Sequence, residues 1–278
     1  MSLAVFLWVL AAALLHAAWN AMIKTGGSKL TGMFMVALGN GVLGLAVGLA
    51  LPLPEAEIWP WILASGAIRM AYLLFLGLAY EHGDLSRVYP IARGAAPLFV
   101  LLAGGLLLSD VLGGNELAGI LVLGAGILLM AQGAFASGES RRLVPFAVGS
   151  AMATAAYSIV DGIGARQMGD AIAFTGWALA ATALFYTPAV VALKGRAVLR
   201  ADARMWVSGN VAGLASYLAY TIVVWAMTQA PIALVTALRE TSILFAVLIG
   251  WLLFGERMSR GKALAALLIV GGVALTRL

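Results

Sequence analysis

The sequence predicts an all-α integral membrane protein of ten transmembrane helices, built as two inverted five-helix repeats around a central cavity. Three observations carry this. Of the 278 residues, 63% are hydrophobic and only 10% charged, and the mean hydropathy is +1.02. A soluble domain holds about 25% charged residues, so this chain could not coat a water-soluble fold. Apolar stretches of roughly 20 residues, enough to cross about 30 Å of hydrocarbon as a helix, recur along the whole length. Finally, features of the first half return in the second. With no Cys, disulfide-stapled and thiolate-metal scaffolds are excluded, and so apolar a composition excludes disorder.

The spans can be read in order. Span 1 covers 3–23. No basic residue precedes it, it is too long for a signal-peptide core, and Lys24 follows, so it reads as a helix that stays. Gly26-Gly27 breaks the chain before span 2 (30–51), and Pro52-Leu53-Pro54 ends that span. Span 3 is 59–80. Span 4 is 87–108, in which Pro90 and Pro97 flank Arg93 and predict a kink beside that charge. Gly113-Gly114-Asn115 precedes span 5 (116–136), and Glu139-Ser140-Arg141-Arg142 separates it from span 6 (143–165). Span 7 (171–193) stops at the basic stretch from Lys194 to Arg204. Spans 8 (203–228), 9 (231–254, opened by Pro231) and 10 (260–277) complete the set. The period-2 alternation of a membrane β-barrel is absent. Gly44-x-x-x-Gly48, Gly104-Gly105 and Gly271-Gly272 read as close helix contacts.

Basic residues orient a membrane protein, because Lys and Arg stay on the cytoplasmic side. Loops after odd-numbered spans hold Lys24, Lys29, Arg87, Arg141, Arg142, Lys194, Arg196, Arg200, Arg204, Arg257, Arg260 and Lys262; the opposite side holds only Arg166 and Arg277. Both termini are therefore expected on the outer face of a cytoplasmic (inner) membrane. The formal net charge of +5 is spread over short loops and does not suggest nucleic acid.

The repeat rests on two matches. Ala13 to Asn20 in span 1 and Ala151 to Ser158 in span 6 share a pattern of small-x-x-polar-Ala-Ala-aromatic-polar. Arg93, Phe99, Gly104 and Asp110 fall on Arg239, Phe245, Gly250 and Glu256 at one constant offset. The repeats are thus 1–138 and 139–278. Five spans is an odd number, so the second copy is inverted, an arrangement that recurs in secondary transporters with the substrate near the midplane.

Five ionisable residues stand inside spans: Arg69, Arg93, Asp161, Arg239 and Glu240. Each costs roughly 2.5–3.5 kcal/mol at the bilayer centre on insertion scales, so they are expected to face each other or a wet cavity. Three arginines against two carboxylates leave one surplus positive charge, which suits a carboxylate or phosphate on a solute. Glu240 is in addition a candidate for proton coupling, since a carboxylate in low dielectric takes up a proton readily. His16, Asn20 and Lys24 share one face of span 1 beside Trp19, and Thr154, Ser158 and Asp161 share one of span 6 beside Tyr157. Span 8 carries Tyr217, Tyr220 and Trp225 and span 3 carries Tyr72; Trp19, Tyr72, Tyr157 and Tyr217 lie deeper, while Trp59, Trp61, Trp206 and Trp251 sit near span ends as belt residues. The candidate substrate-binding set is Trp19, Asn20, Arg69, Tyr72, Arg93, Tyr157, Tyr217, Arg239 and Glu240.

No G-x-S-x-G, Walker A or H-E-x-x-H pattern is present, and Gly162-x-Gly164 lacks both a third glycine and a βαβ setting. No enzyme, no cofactor and, with only His16 and His82, no metal site is expected. The His16-Ala17-Ala18-Trp19-Asn20 opening, the run from Gly83 through Asp84-Leu85-Ser86, Val88-Tyr89-Pro90-Ile91, Arg93-Gly94 and Pro97, and the Phe254-Gly255-Glu256-Arg257 close of span 9 resemble the drug/metabolite transporter superfamily, of the EamA type. Asp110 stands where the first repeat more usually has Glu. The resemblance covers nearly the full length. It implies a basket of spans 1, 3, 4, 6, 8 and 9 around a cavity, and export of small metabolites. The chain is most similar to YddG-type exporters of amino acids, including aromatic ones. The expected partners are the bilayer and a small-molecule substrate, an amino acid or the like. Export of cationic drugs or other small metabolites, and a non-transporting membrane sensor or assembly subunit, are the alternatives.

Overall fold

A computed structural model describes residues 1–24, 29–82, 93–108, 110–135, 143–200, 202–255 and 258–278. Its elements are helices α1 (Leu3–Lys24), α2 (Lys29–Ala50), α3 (Trp59–His82), α4 (Ala96–Leu107), α5 (Gly114–Phe135), α6 (Leu143–Met168), α7 (Ala171–Lys194), a 3₁₀ turn (Arg196–Leu199), α8 (Ala203–Gln229), α9 (Ile232–Arg239), α10 (Ser242–Phe254) and α11 (Arg260–Leu275). Seven stretches among the described residues are long and apolar enough to cross a membrane, the seventh running through α9 and α10. The protein is therefore a multi-pass membrane protein. Many large apolar side chains, such as Leu7, Leu49, Leu102, Leu184 and Leu252, point outward, as a lipid solvent requires.

Two spans differ from the sequence reading. The described helix of span 4 is only the 12 residues of α4; Pro90 and the stretch from Gly83 to Val88 and Tyr89 lie outside the described residues. Arg93 and Gly94 are helical, the chain turns at Ala95, and Pro97 stands in the first turn of the helix that resumes there, where a proline costs least; the interruption expected beside Arg93 is thus present at Ala95. Span 9 is not one continuous helix. It stops at Arg239, passes through Glu240 (φ −70°, ψ −8°) and Thr241 (φ −58°, ψ −14°), and resumes at Ser242. Tight i→i+3 bonds carry the break, from Glu240 N–H to the Ala237 carbonyl and from Thr241 N–H to Leu238.

Helix packing mixes the two halves of the chain. The main partners are α5 with α11, α2 with α7, α3 with α6, α1 with α8, α3 with α7, α2 with α8, α1 with α10 and α4 with α6. Glycines set the closest crossings. A methyl group on Gly44 would strike the Gly176 carbonyl oxygen, and one on Gly176 would lie 2.8 Å from that of Gly44. Along α2, Gly41 meets Ala183 and Gly48 meets Trp177, so α2 and α7 run in opposite directions. On α5 and α11, Gly119 approaches Gly272 while Gly126 approaches Ala265; these two are antiparallel as well. At the offset that carries Arg93 onto Arg239, Gly119 falls on Ala265 and Gly126 on Gly272, so the two contacts are images of each other. The two chain termini meet: Arg277 Nη1 donates to the Met1 carbonyl at 2.8 Å.

Candidate functional site

All five ionisable groups inside the spans turn inward and pair. The guanidinium of Arg69, on α3, donates from Nη2 to Asp161 Oδ2 of α6 at 2.7 Å. The Tyr220 hydroxyl of α8 donates to the same oxygen at 2.5 Å. The Arg69 guanidinium also stacks between two rings, 4.2 Å from the centroid of Tyr157 and 3.8 Å from that of Tyr220, a cation–π sandwich. The second cluster centres on Glu240, which is fully buried. Arg93 grips it with both nitrogens, Nε to Oε2 at 2.9 Å and Nη2 to Oε1 at 3.0 Å. Arg239 donates Nε and Nη2 to Oε1 at 3.2 and 3.1 Å.

The break in span 9 makes this second cluster. Side chains at i and i+1 of a continuous helix diverge, but α9 ends between Arg239 and Glu240. Arg239 then lies in the last turn of α9, where a cation is favoured, and Glu240 just ahead of α10, where an anion is favoured. Three guanidiniums and two carboxylates leave the assembly one positive charge in excess.

Both clusters border a cavity of about 110 Å³, smaller in this conformation than sites that hold drug-sized ligands (about 300–1,000 Å³). Its wall includes Arg69, Arg93, Arg239, His16, Trp19, Asn20, Asn40, Tyr72, Tyr157 and Tyr220. Its lining comes from the second half of α1 and α3, the first half of α2 and the middle of α6, α7 and α8. It thus runs from mid-bundle toward the end that carries the α1–α2 and α3–α4 connections. Aromatic edges line it: Tyr72 packs edge-on to Tyr157 at 5.6 Å between centroids, and His16 to Trp19 at 5.0 Å. Buried on wall residues, Trp19 Nε1, Asn40 Oδ1 and Arg69 Nε have no hydrogen-bond partner.

Of the nine expected site residues, seven (Trp19, Asn20, Arg69, Tyr72, Arg93, Tyr157 and Arg239) line the cavity. Glu240 does not; it stands behind the two arginines that hold it. Tyr217 does not either. The inward stripe of α8 is Ser216, Ala219, Tyr220 and Val223, and Tyr217 lies about 100° around the helix from Ser216, buried elsewhere with its hydroxyl unpartnered. Tyr220 takes its place. Thr154 and Ser158, grouped with Asp161 by spacing, bond back to their own helix at the carbonyls of Ser150 and Thr154. Asn40, missed in the sequence, faces the cavity and donates Nδ2 to Ser216 Oγ at 3.2 Å. A lone polar residue between Gly39 and Gly41 was the available signal, masked by its resemblance to a packing stripe. Among the described residues, no three His, Cys, Asp or Glu side chains gather as a metal site.

The fold and this site define a class: a multi-pass helical membrane protein with a charged chamber between its helices. Within it, residues 142–278 match the EamA-like transporter family. No curated protein matches the chain. Among 29 matching chains of solved structures, one described as "Crystal structure of protein" is 21% identical, with a TM-score of 0.78, over 99% of this chain and 98% of that one. At that identity the likeness is one of fold.

Proposed function

We propose that the protein is a secondary transporter of the cytoplasmic membrane that exports small carboxylate-bearing solutes, amino acids foremost, by alternating access. The observation that carries this reading is the excess positive charge on the chamber wall. Asp161 and Glu240 are both engaged by arginines, so an incoming cation meets no free carboxylate, whereas an incoming carboxylate meets guanidinium donors that bind it bidentately. Trp19, Tyr72 and Tyr157 then supply the apolar wall for an aromatic or aliphatic side chain.

Two inverted repeats, 1–138 and 139–278, are the second part of the proposal. It is supported by the packing, which maps onto itself when each span is exchanged with the one five further on. In that exchange α1–α8 becomes α6–α3, α2–α8 becomes α7–α3, α1–α10 becomes α6–α4, and α2–α7 and α5–α11 return to themselves. The antiparallel glycine crossings agree. In this scheme Glu240, which ties Arg93 to Arg239, is the candidate for proton coupling. The 12-to-2 distribution of basic residues between the two sets of loops supports termini on the outer face.

Counterflow in proteoliposomes tests the substrate class. Labelled phenylalanine, leucine and other amino acids are expected to exchange across vesicles holding the purified chain. Exchange of a polyamine or a sugar with none of any amino acid would overturn it.

A further inference from the structure

At the end of the bundle that carries the chain termini stands a third charged cluster, outside the chamber. Arg166, in the last turn of α6, donates Nε to the Met227 carbonyl at 2.8 Å and Nη2 to the Ala230 carbonyl at 2.9 Å. Both acceptors are end-of-helix carbonyls of α8, which lack helical partners and attract a cation. The same guanidinium grips Asp110, Nη1 to Oδ1 at 2.7 Å and Nη2 to Oδ2 at 3.2 Å. Asp110 Oδ2 in turn accepts the Ile232 N–H at 2.8 Å, an unpaired donor of the first turn of α9. One Arg–Asp pair thus closes the end of α8, caps the start of α9, and ties both to α6 and to the connection between α4 and α5.

Three of these helices carry the chamber. Asp161 lies five residues before Arg166, roughly 7.5 Å along α6; Tyr220 is on α8 and Arg239 ends α9. Between latch and chamber lies an apolar plug of Val9, Val100, Ala226, Met227, Ile232 and Leu234, all fully buried. A solute moving from the chamber toward the chain termini must pass both layers. The latch itself is wet, its Arg166 and Asp110 side chains being 32% and 17% exposed, so water is available to take over its hydrogen bonds when it opens.

We infer that the Arg166–Asp110 pair is the outer gate latch, closed in this conformation and broken when the chamber opens toward the termini. The inference rests on the alternating-access reading, but its test needs no substrate. Because the chain contains no Cys, a single Ala226→Cys reporter in the plug works against a clean background. A membrane-impermeant maleimide is added from the terminal side of membranes containing the full chain. The reporter is expected to react slowly with the latch intact and at least tenfold faster with Arg166→Ala, a change that corresponds to about 1.4 kcal/mol taken from the closed state. Asp110→Asn, which keeps an acceptor for α9 while removing the charge, is expected to give a smaller rise. Ser2→Cys, exposed at the same end, reports reagent access and insertion and is expected to react equally in all backgrounds. Unchanged Ala226→Cys labelling in both latch variants, with normal Ser2→Cys labelling, overturns the latch. Faster labelling without counterflow of any solute leaves the latch standing and removes the transport reading.

Discussion

Glu240→Ala is expected to lower the stability of the protein by about 3–5 kcal/mol, the range for removing one partner of a buried ion pair. The effect belongs at the upper end, because one carboxylate satisfies two guanidiniums. Arg93 and Arg239 border the cavity but are only 1% and 2% exposed, against 7% for Arg69, so without Glu240 their like charges face each other with less water to screen them. Tryptophan fluorescence during chemical unfolding in detergent measures this. Asp161→Asn is expected to cost less: Arg69 keeps its stacking between Tyr157 and Tyr220 and lies on the cavity wall, where water replaces the lost hydrogen bond. Equal losses for the two variants would contradict the arrangement of charges. Glu240→Gln separates the proton-coupling role from the structural one, since a variant that folds and still drives accumulation with an unchanged pH profile removes the coupling proposal.

Arg239→Gln is expected to weaken solute recognition far more than folding. The substitution abolishes the excess positive charge and leaves Glu240 in its two-nitrogen grip with Arg93, so the unfolding midpoint should move little. Loss of a charged hydrogen-bonding partner costs about 1.5–3 kcal/mol, an increase of roughly 10–150-fold in the solute concentration that half-saturates counterflow. Counterflow measured over a concentration series gives that number. A variant with wild-type half-saturation would place the solute's carboxylate elsewhere.

Much of this was legible because the bilayer penalises charge so heavily. Arg69, Arg93, Asp161, Arg239 and Glu240 stood out in apolar stretches, and cost alone demanded that they meet. Which arginine holds which carboxylate was not legible, since it depends on how α3 crosses α6 and how the start of span 4 meets the break in span 9. That break has no Gly or Pro to announce it; the sequence Arg239-Glu240-Thr241-Ser242 is compatible with a straight helix, and the pairing of Arg239 with its neighbour Glu240 is visible only in three dimensions. Tyr217 and Tyr220 were equivalent in one dimension and are separated by the angular edge of the α8 stripe. Asp110 and Arg166 read as ordinary loop charges because their shared targets, backbone groups of α8 and α9, leave no trace in residue type.

The most direct test of the central claim compares phenylalanine with phenylalaninamide in counterflow through the purified chain. The two share ring and amine, and only the first carries a carboxylate for the arginine wall. Exchange of the acid with little or no exchange of the amide is the predicted result; exchange of the amide as fast as the acid, or faster, would contradict it.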